Sequence, residues 1–237
     1  MDNNTEASLD LYASIEDMLE NEEAIAYLYR YYYLALEQLS PSSLLDVGCG
    51  SGAFLQSVQT QFRLPAKGID LSGVMVQRAA QKGLNVQTID LCDEPQCYGA
   101  ITAVFDMLNY LPPEALQPFL ACVVAHLEEG GYFIFDINTA FGFENVAVGA
   151  YSVEDESRFL AIESAYENKK YDALFTLFHQ TEEGCYTKSQ ERLFQYLHSV
   201  EEIVSLSGMQ LVFQEPIALY DLEEADKYFV VLQKVAS

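Results

Sequence analysis

The chain has 237 residues, of which 50% are hydrophobic and only 20% charged, so it can bury a full core and is unlike a disordered chain. Its 12 Lys and Arg residues stand against 36 Asp and Glu residues, which leaves a formal net charge of -24 at pH 7. Such a surface repels phosphate groups, so nucleic acids and anionic membranes are excluded as expected partners.

The N-terminus and the cysteines indicate a cytoplasmic protein. The first residues lack the basic and apolar regions of a signal peptide, and no run reaches the roughly 18 apolar residues of a membrane span. The five cysteines are odd in number and none form a CxxC pair, which predicts reduced, mostly buried thiols. Without His or Cys neighbours at ligand spacing, no metal site is expected.

The chain up to Asn138 predicts helices followed by an α/β domain. Apolar residues recur at helical spacing between about Ile15 and Leu39, which indicates one or two helices before Pro41. From Ser43, short apolar runs alternate with helical segments, a pattern typical of βαβ units around a parallel sheet. The total length favours one elaborated domain over two independent ones.

The pattern changes after Asn138, where aromatic and β-branched residues separated by turn formers predict three antiparallel strands. The predicted strands are residues 157–166, 171–180 and 185–197. Ser199 and Glu202 form a capping box at the start of a further helix, which Gly208 ends before two final strands. We interpret residues 139–197 as an insert in the α/β domain.

The strongest functional signal is the segment LLDVGCGSGAF at residues 44–54. An apolar strand ends near an acid, and Gly48, Gly50 and Gly52 follow at alternate positions before a helix begins. Glycines allow a tight turn and close approach to a ligand, and a helix N-terminus offers unpaired N–H groups to a carboxylate or phosphate. The loose dinucleotide pattern is also satisfied, so the glycines alone do not choose between cofactors.

Three acidic residues around this loop narrow the choice of cofactor. Asp46 precedes the glycines, where it would repel a pyrophosphate but suits an ammonium group. Asp70 ends the next strand, where a carboxylate can accept hydrogen bonds from two ribose hydroxyls. Asp90 ends the strand after that and is placed to meet an adenine. The set favours a cofactor that carries an ammonium group.

Taken together, these motifs resemble those of the class I S-adenosylmethionine-dependent methyltransferases. LLDVGCGSG is similar to their glycine-rich motif, GIDLS to their ribose-binding acid and TIDL to their adenine-side acid. ITAVFDMLNYL and HLEEGGYFIFDIN resemble their fourth and fifth strands. The likeness runs over residues 44–138 and resumes weakly at 198–234. A looser resemblance links the chain to small-molecule N-methyltransferases with an antiparallel insert.

The resemblance implies a Rossmann-like, doubly wound α/β fold with a mostly parallel seven-stranded sheet and an antiparallel last strand. Residues 1–42 are expected to form an N-terminal helical lid. Residues 43–138 and 198–237 would form the cofactor-binding core. Residues 139–197 would form an antiparallel β insert that caps the acceptor site, and a homodimer is the other use that this insert could serve.

The resemblance also implies S-adenosylmethionine as cofactor. The glycines would form its loop, Asp46 would lie near the methionine amine, Asp70 would bind both ribose hydroxyls, and Leu71 would pack on adenine. Asp90 would accept a hydrogen bond from the exocyclic amine of adenine. The implied cofactor-binding residues are Asp46, Gly48, Gly50, Gly52, Asp70, Leu71, Asp90, Leu91, Asp106 and Asn109.

Candidate contacts for a methyl acceptor follow the fourth strand and lie in the insert. Asn109 and Tyr110 could orient it, while Asp106 could touch the cofactor or take a proton. His179 could act as a base or serve as a structural imidazole, and Glu191 is a further candidate contact. We name Tyr110, His179 and Glu191 as the candidate catalytic residues. The expected aromatic lining is Phe175, Phe178, Tyr186, Phe194 and Tyr196.

No Lys or Arg lies between Lys82 and Arg158, so a phosphate or carboxylate on the acceptor would find no cation there. The hypothesis is therefore methyl transfer to nitrogen or oxygen of a small neutral or amine-bearing molecule. A nicotinamide-dependent oxidoreductase is an alternative that Asp46 disfavours. A protein that binds S-adenosylmethionine without turnover is a third, because the methyl group is already activated and little acid–base help is needed.

Overall fold

The computed structural model describes residues 4, 6–19, 22–220 and 223–235. The strands found there are β1 (Leu44–Val47), β2 (Ala66–Asp70), β3 (Val86–Thr88), β4 (Tyr98–Ala103), β5 (Leu127–Asn138), β6 (Gly149–Glu154), β7 (Arg158–Glu167), β8 (Lys170–Gln180), β9 (Tyr186–Tyr196), β10 (Gln210–Ile217) and β11 (Lys227–Gln233). The α-helices are α1 (Glu6–Leu19), α2 (Glu22–Leu39), α3 (Ala53–Gln61), α4 (Gly73–Gln81), α5 (Pro113–His126) and α6 (Val200–Ser207). Shorter helical segments span Leu91–Asp93, Met107–Tyr110 and Gly142–Ala147.

Seven strands form the main sheet, in the order β10-β11-β5-β4-β1-β2-β3. The pairs β1–β2, β1–β4, β2–β3 and β4–β5 are parallel. The last strand, β11, runs antiparallel to both of its neighbours, β5 and β10. The predicted fold class is therefore confirmed, including the direction of the last strand.

The central strands are apolar without alternation because helices cover both faces of the sheet. All residues of β1 and of β4 are buried. On one face, Leu28 and Tyr32 of α2 pack with Phe54 of α3. On the other face, Leu120 of α5 packs with Ile203 of α6. Among the described residues, the helices include none whose length and hydropathy would let it cross a bilayer.

The insert forms a second, antiparallel sheet in the order β6-β7-β8-β9. Three of its strands were predicted, and β6 is an addition to that prediction. Five of its six residues are exposed, so the sequence of β6 shows no alternation of apolar and polar side chains that would mark a half-buried strand. The inner face of this sheet carries Leu160, Phe175 and Leu193.

Helix α1 packs against that inner face and so joins the insert to the main domain. Leu11 and Ile15 contact the apolar side chains of the second sheet. Asn4 extends the contact because its side chain donates to the carbonyl of Phe194 at 3.0 Å and accepts from the Phe194 amide at 2.8 Å. Arg158 of β7 donates to both carboxylate oxygens of Asp17, at 2.6 and 3.0 Å. The helix is thus held to the insert at both of its ends.

The cysteine prediction was wrong in two respects. Cys92 and Cys122 form a disulfide, with Cα atoms 5.1 Å apart, so they are not reduced thiols. Of the free cysteines, Cys49 is buried but Cys97 and Cys185 are exposed. Cys92 lies in the turn after β3 and Cys122 on α5. Their separation of 30 residues carries no local signal, because only the packing of α5 brings the two together.

We expect Cys122→Ser, or reduction of the wild type, to lower the free energy of unfolding by about 2–4 kcal/mol, since the crosslink restricts a loop of the unfolded chain. Urea unfolding under oxidising and reducing conditions measures this. Cys97→Ser is the matched control, because this exposed thiol is not crosslinked. Equal unfolding midpoints for wild type and Cys122→Ser under oxidising conditions would contradict the prediction.

Candidate functional site

The glycine loop connects β1 to α3 in a backbone conformation that other residues disfavour. Gly48, Gly50 and Gly52 have φ angles of 69°, 53° and 80°, all in the left-handed region. A Cβ on Gly48 would lie 2.6 Å from Cγ of Met107, and one on Gly52 would collide with Leu84. A Cβ on Gly50 would meet only Glu16 Oε1, at an ordinary contact distance of 3.8 Å. The first and third glycines are thus needed for packing, while the space at the second would accept a Cβ.

The start of α3 offers hydrogen-bond donors to a ligand. Its N-cap is Gly52, which provides no side-chain acceptor for the first N–H groups of the helix. These N–H groups carry partial positive charge and suit a carboxylate or phosphate.

Asp70, at the end of β2, holds the loop in place. Its Oδ2 accepts from the amide of Gly50 at 2.8 Å, and its Oδ1 accepts from the amide of Ser72 at 2.8 Å. Burial raises the pKa of Asp70, although these backbone hydrogen bonds oppose the shift. Leu71 follows and is 62% exposed. The carboxylate therefore shapes the loop and stands beside an uncovered apolar side chain.

Asp46 lies beneath the loop rather than on its surface. It is 2% exposed, and its Oδ1 accepts from the hydroxyl of Thr102 at 2.8 Å. Burial raises the pKa of Asp46 to about 7, against the opposing hydrogen bond from Thr102. A cation near this group would favour its ionised form.

Asp90 and Leu91 take different positions after β3. Asp90 is exposed, and its carboxylate accepts from the amide of Cys92 at 2.8 Å, which caps the short helix Leu91–Asp93. Leu91 is buried in the main core. Asp90 thus has a local structural role, and its binding to adenine stays a prediction.

A second group of polar residues begins at the end of β4 and centres on Asp136 of β5. Asp136 accepts from the amides of Phe105 and Asp106 at 2.8 and 2.9 Å and from the hydroxyl of Tyr32 at 2.6 Å. Phe105 and Asp106 have φ angles of 57° and 48°, which is uncommon for residues other than glycine. The carboxylate of Asp136 thus fixes a strained turn.

This turn presents the carboxylate of Asp106 to Lys227, the first residue of β11. The Lys227 Nζ lies 2.6 Å from Asp106 Oδ1 and 3.2 Å from Asp136 Oδ2, and it donates to Asn138 Oδ1 at 2.8 Å. Burial alone would lower the pKa of Lys227, but Asp106 and Asp136 outweigh it and raise that pKa above its ordinary value. Gln195 of β9 also donates to Asp106. Two carboxylates therefore share one permanent cation.

Tyrosines surround Asp106. Tyr12, Tyr110, Tyr171 and Tyr220 each have a raised pKa, for which burial is the largest cause and the charge of Asp106 a further one. Their hydroxyls therefore stay protonated at neutral pH and act as hydrogen-bonding groups rather than as bases. Tyr12 reaches this cluster from α1, where it contacts the ring of Phe175 edge-on at 6.3 Å between centroids.

A cavity of about 620 Å³ opens beside Asp106. Its polar lining includes Asp106, Asn138, Tyr171, Gln195, Tyr220 and Lys227. A larger groove of about 780 Å³ lies at the opposite edge of the main sheet, and Arg63 and Lys67 are among its lining residues. It contains none of the residues predicted for the site, so the cavity at Asp106 is the candidate acceptor site.

Some predicted acceptor contacts do not reach this cavity. His179 is exposed and lies eight residues along β8 from Tyr171, about 26 Å away at the rise of a strand. Glu191 lies four residues along β9 from Gln195, about 13 Å away. Tyr110 is hydrogen-bonded to Gln195 of the cavity lining, but it is not itself among the lining residues. None of the three candidate catalytic residues therefore lines the cavity.

Asn109 is used within the fold. It is buried, its amide nitrogen donates to the carbonyl of Tyr196 at 2.8 Å, and its oxygen accepts from the amide of Asn138 at 2.9 Å. The aromatic lining was wrong for Phe178, which packs on Phe159, and for Tyr186, which is 59% exposed. Phe175 and Phe178 are three residues apart on β8, so their side chains point to opposite faces of the sheet.

Several residues at the cavity carry no local signal in the sequence. Lys227 begins a strand far along the chain, and Gln195 lies in a strand whose facing direction the sequence left undefined. Asp136 lies within FDIN, a motif that indicates the end of the fifth strand and does not by itself mark a site residue. Its position at the end of β5, next to the end of β4, is the signal that could have identified it.

Part of the chain matches a known protein family. Residues 44–131 match the family described as a methyltransferase domain. The chain therefore contains a methyltransferase domain at these residues. No curated protein matches the sequence.

Solved structures share the fold of this chain over almost its whole length. An S-adenosylmethionine-dependent methyltransferase from Clostridium acetobutylicum is 19% identical, with a TM-score of 0.77 and coverage of 97% of this chain and 98% of that chain. CalS10, an amino pentose methyltransferase from Micromonospora echinaspora, is 21% identical, with a TM-score of 0.69 and coverage of 95% and 97%. KedS8, a sugar N-methyltransferase from a Streptoalloteichus species, is 18% identical, with a TM-score of 0.73 and coverage of 99% and 96%.

We expect Lys227→Met to lower the free energy of unfolding of the protein by about 3–5 kcal/mol, because it leaves buried Asp136 and its neighbour Asp106 without their cation. Chemical denaturation measures the loss. Lys188→Met is the control, since Lys188 is exposed and its loss should cost about 1 kcal/mol or less. Similar stabilities for the two variants would show that the buried pair is not needed.

The raised pKa of Asp46 predicts that the stability of the protein depends on pH. The pKa of Asp46 is about 7 in the folded protein and near 4 in the unfolded chain, so the proton on Asp46 favours the folded state. This contribution to stability is fully present below pH 4 and is lost as the pH rises through 7. Asp46→Asn should therefore be more stable than wild type by about 1–4 kcal/mol at pH 8. The difference should shrink steadily towards pH 5, as urea unfolding at several pH values would show. A difference independent of pH would contradict the assignment.

Proposed function

We propose that this protein transfers the methyl group of S-adenosylmethionine to the amine nitrogen of a small hydroxylated molecule held in the cavity at Asp106. The observation that carries this proposal is the continuity of the two sites. Met107 follows Asp106 directly and packs so closely on Gly48 that a Cβ there would lie 2.6 Å from Met107 Cγ. Cofactor and acceptor would therefore meet at the carboxyl edge of β1 and β4.

The cofactor would occupy the cleft formed by the glycine loop, α3 and Asp70. Its carboxylate would bind the unpaired N–H groups at the start of α3. Its ribose hydroxyls would donate to Asp70, which retains acceptor capacity beyond its two backbone hydrogen bonds because a carboxylate offers about four acceptor positions. The exposed side chain of Leu71 would pack on adenine, and Asp90 would lie beside its exocyclic amine.

The polarity of the cavity supports an amine-bearing, hydroxylated acceptor. Amides from Asn138 and Gln195 and hydroxyls from Tyr171 and Tyr220 can bind a polyhydroxylated ring. Two carboxylates against the single cation of Lys227 leave an excess of negative charge, which favours a cationic product and disfavours an anionic acceptor. Similar structures named as amino pentose and sugar N-methyltransferases support the same class of acceptor.

The reaction needs orientation more than acid–base catalysis. The neutral amine of the acceptor would attack the methyl carbon, an N–C bond would form as the S–C bond breaks, and the electron pair of that bond would return to sulfur. The positive charge would move from sulfur to nitrogen, and one of the protons that this nitrogen already carries would leave afterwards to solvent or to Asp106. Tyr110, whose raised pKa keeps its phenol protonated, would help to orient the amine through its hydrogen bond with Gln195 of the cavity lining, rather than deprotonate it.

The insert and α1 would close this site. The insert contributes Tyr171 and Gln195 to the cavity, and α1 places Tyr12 beside Tyr110. Residues 139–197 would therefore serve as an acceptor cap and the N-terminal helix α1 as a lid. Such a roofed cavity admits small molecules and excludes macromolecular acceptors.

We expect methylated product from amino sugars and related hydroxylated amines, and little from phenols, carboxylic acids or tRNA. Transfer of labelled methyl from S-adenosylmethionine across this panel measures the preference. The rate should rise with pH through the pKa of the acceptor amine, because only the neutral amine attacks. Gly50→Val, which forces a β-branched residue into a left-handed position, is the inactive control. Preferred methylation of tRNA or of a carboxylic acid would overturn the proposal.

A further inference from the structure

Helix α1 crosses the glycine loop of the main domain. Ser51 in that loop donates from its hydroxyl to Glu16 Oε1 at 3.5 Å. Ser72, at the start of α4, donates to Asp10 at 3.2 Å, and Arg78 of α4 donates to the carbonyl of Ala13. With its other side held by the insert, α1 has a defined position over the cofactor cleft.

Glu16 borders the open side of the loop. Gly50 is the glycine whose Cβ position is unobstructed, and the atom nearest to that position is Glu16 Oε1 at 3.8 Å. The charge of Glu16 also contributes to the raised pKa of Tyr12, one helical turn before it. The carboxylate therefore faces the space into which the loop opens.

The other two carboxylates beside the loop are placed for different tasks. Asp46 is buried under the loop and bound to Thr102, so the loop backbone separates it from the cleft. Asp70 is engaged by the amides of Gly50 and Ser72 and stands at the end of β2, where the ribose would lie.

We propose that Glu16 binds the α-ammonium group of the methionine moiety of S-adenosylmethionine. With the cofactor carboxylate at the start of α3, the ammonium on the adjacent carbon would lie beside Gly50 and Ser51. Glu16 then supplies a charge-assisted acceptor from α1. This inference rests on the proposed function, and it moves the ammonium partner from Asp46, where the sequence placed it, to a residue of the lid.

The test compares ligands that differ at the amino acid end. Isothermal titration of wild type, Glu16→Gln and Asp70→Asn would use S-adenosylmethionine, S-adenosylhomocysteine, its analogue without the α-amino group, and 5′-methylthioadenosine. Glu16→Gln should weaken both amine-bearing ligands by about tenfold to a hundredfold and leave the other two unchanged. Asp70→Asn should weaken all four, because all carry the ribose. Glu23→Gln, at an exposed position of α2, is the charge-matched control.

Three outcomes would overturn the inference while the proposed function stands. Wild type and Glu16→Gln could bind S-adenosylmethionine equally, or Glu16→Gln could weaken 5′-methylthioadenosine as much, which would indicate a general effect on α1. Wild type could also bind the desamino analogue as tightly as S-adenosylhomocysteine, a comparison that does not depend on the variant folding. Failure of wild type to bind any of the four ligands would instead refute the proposed cofactor site.

Discussion

The carboxylate of Asp136 is the interaction on which the geometry of the acceptor cavity depends. It receives two consecutive amides from a turn whose residues both have positive φ, the hydroxyl of Tyr32, and the ammonium of Lys227. Each left-handed residue costs about 1–2 kcal/mol, while hydrogen bonds to a charged group contribute about 1.5–3 kcal/mol each. The carboxylate can therefore hold a turn that its own sequence disfavours.

The same carboxylate joins separate parts of the chain. Tyr32 belongs to α2, Asp136 to β5 and Lys227 to β11, and all meet at the end of β4. Because Asp136 and Lys227 are buried, removing either one leaves a charge without water or a partner. The position of Asp106 at the cavity is thus determined by packing in the centre of the domain, and not by the loop that carries it.

A chain with a net charge of -24 concentrates carboxylates at the carboxyl edge of its sheet, and each has a distinct partner. Asp70 is satisfied by backbone amides, Asp46 by a hydroxyl and Asp106 by Lys227. Mutual repulsion is limited because two of these partners are neutral dipoles and one is a cation.

The sequence was sufficient where local pattern determines structure. The βαβ alternation predicted the parallel sheet, and the positive φ angles at Gly48, Gly50 and Gly52 agree with the prediction of a glycine loop. It was insufficient where contacts join distant segments. Nothing near Cys92 indicates Cys122, and nothing near Asp106 indicates Lys227, because such pairs arise from the packing of complete elements. His179 was a candidate base because of its residue type, but its exposed position on β8 does not support that role.

Helix α1 carries Tyr12 and Glu16 one turn apart. Tyr12 lies in the tyrosine cluster around Asp106, and Glu16 contacts the glycine loop; residues four apart share one face of a helix. Helix α1 therefore contacts both the tyrosine cluster and the glycine loop, and a tilt of this helix would change both contacts together. If the cofactor stabilises this placement of α1, it raises the affinity for the acceptor. The acceptor must then raise the affinity for the cofactor by the same factor.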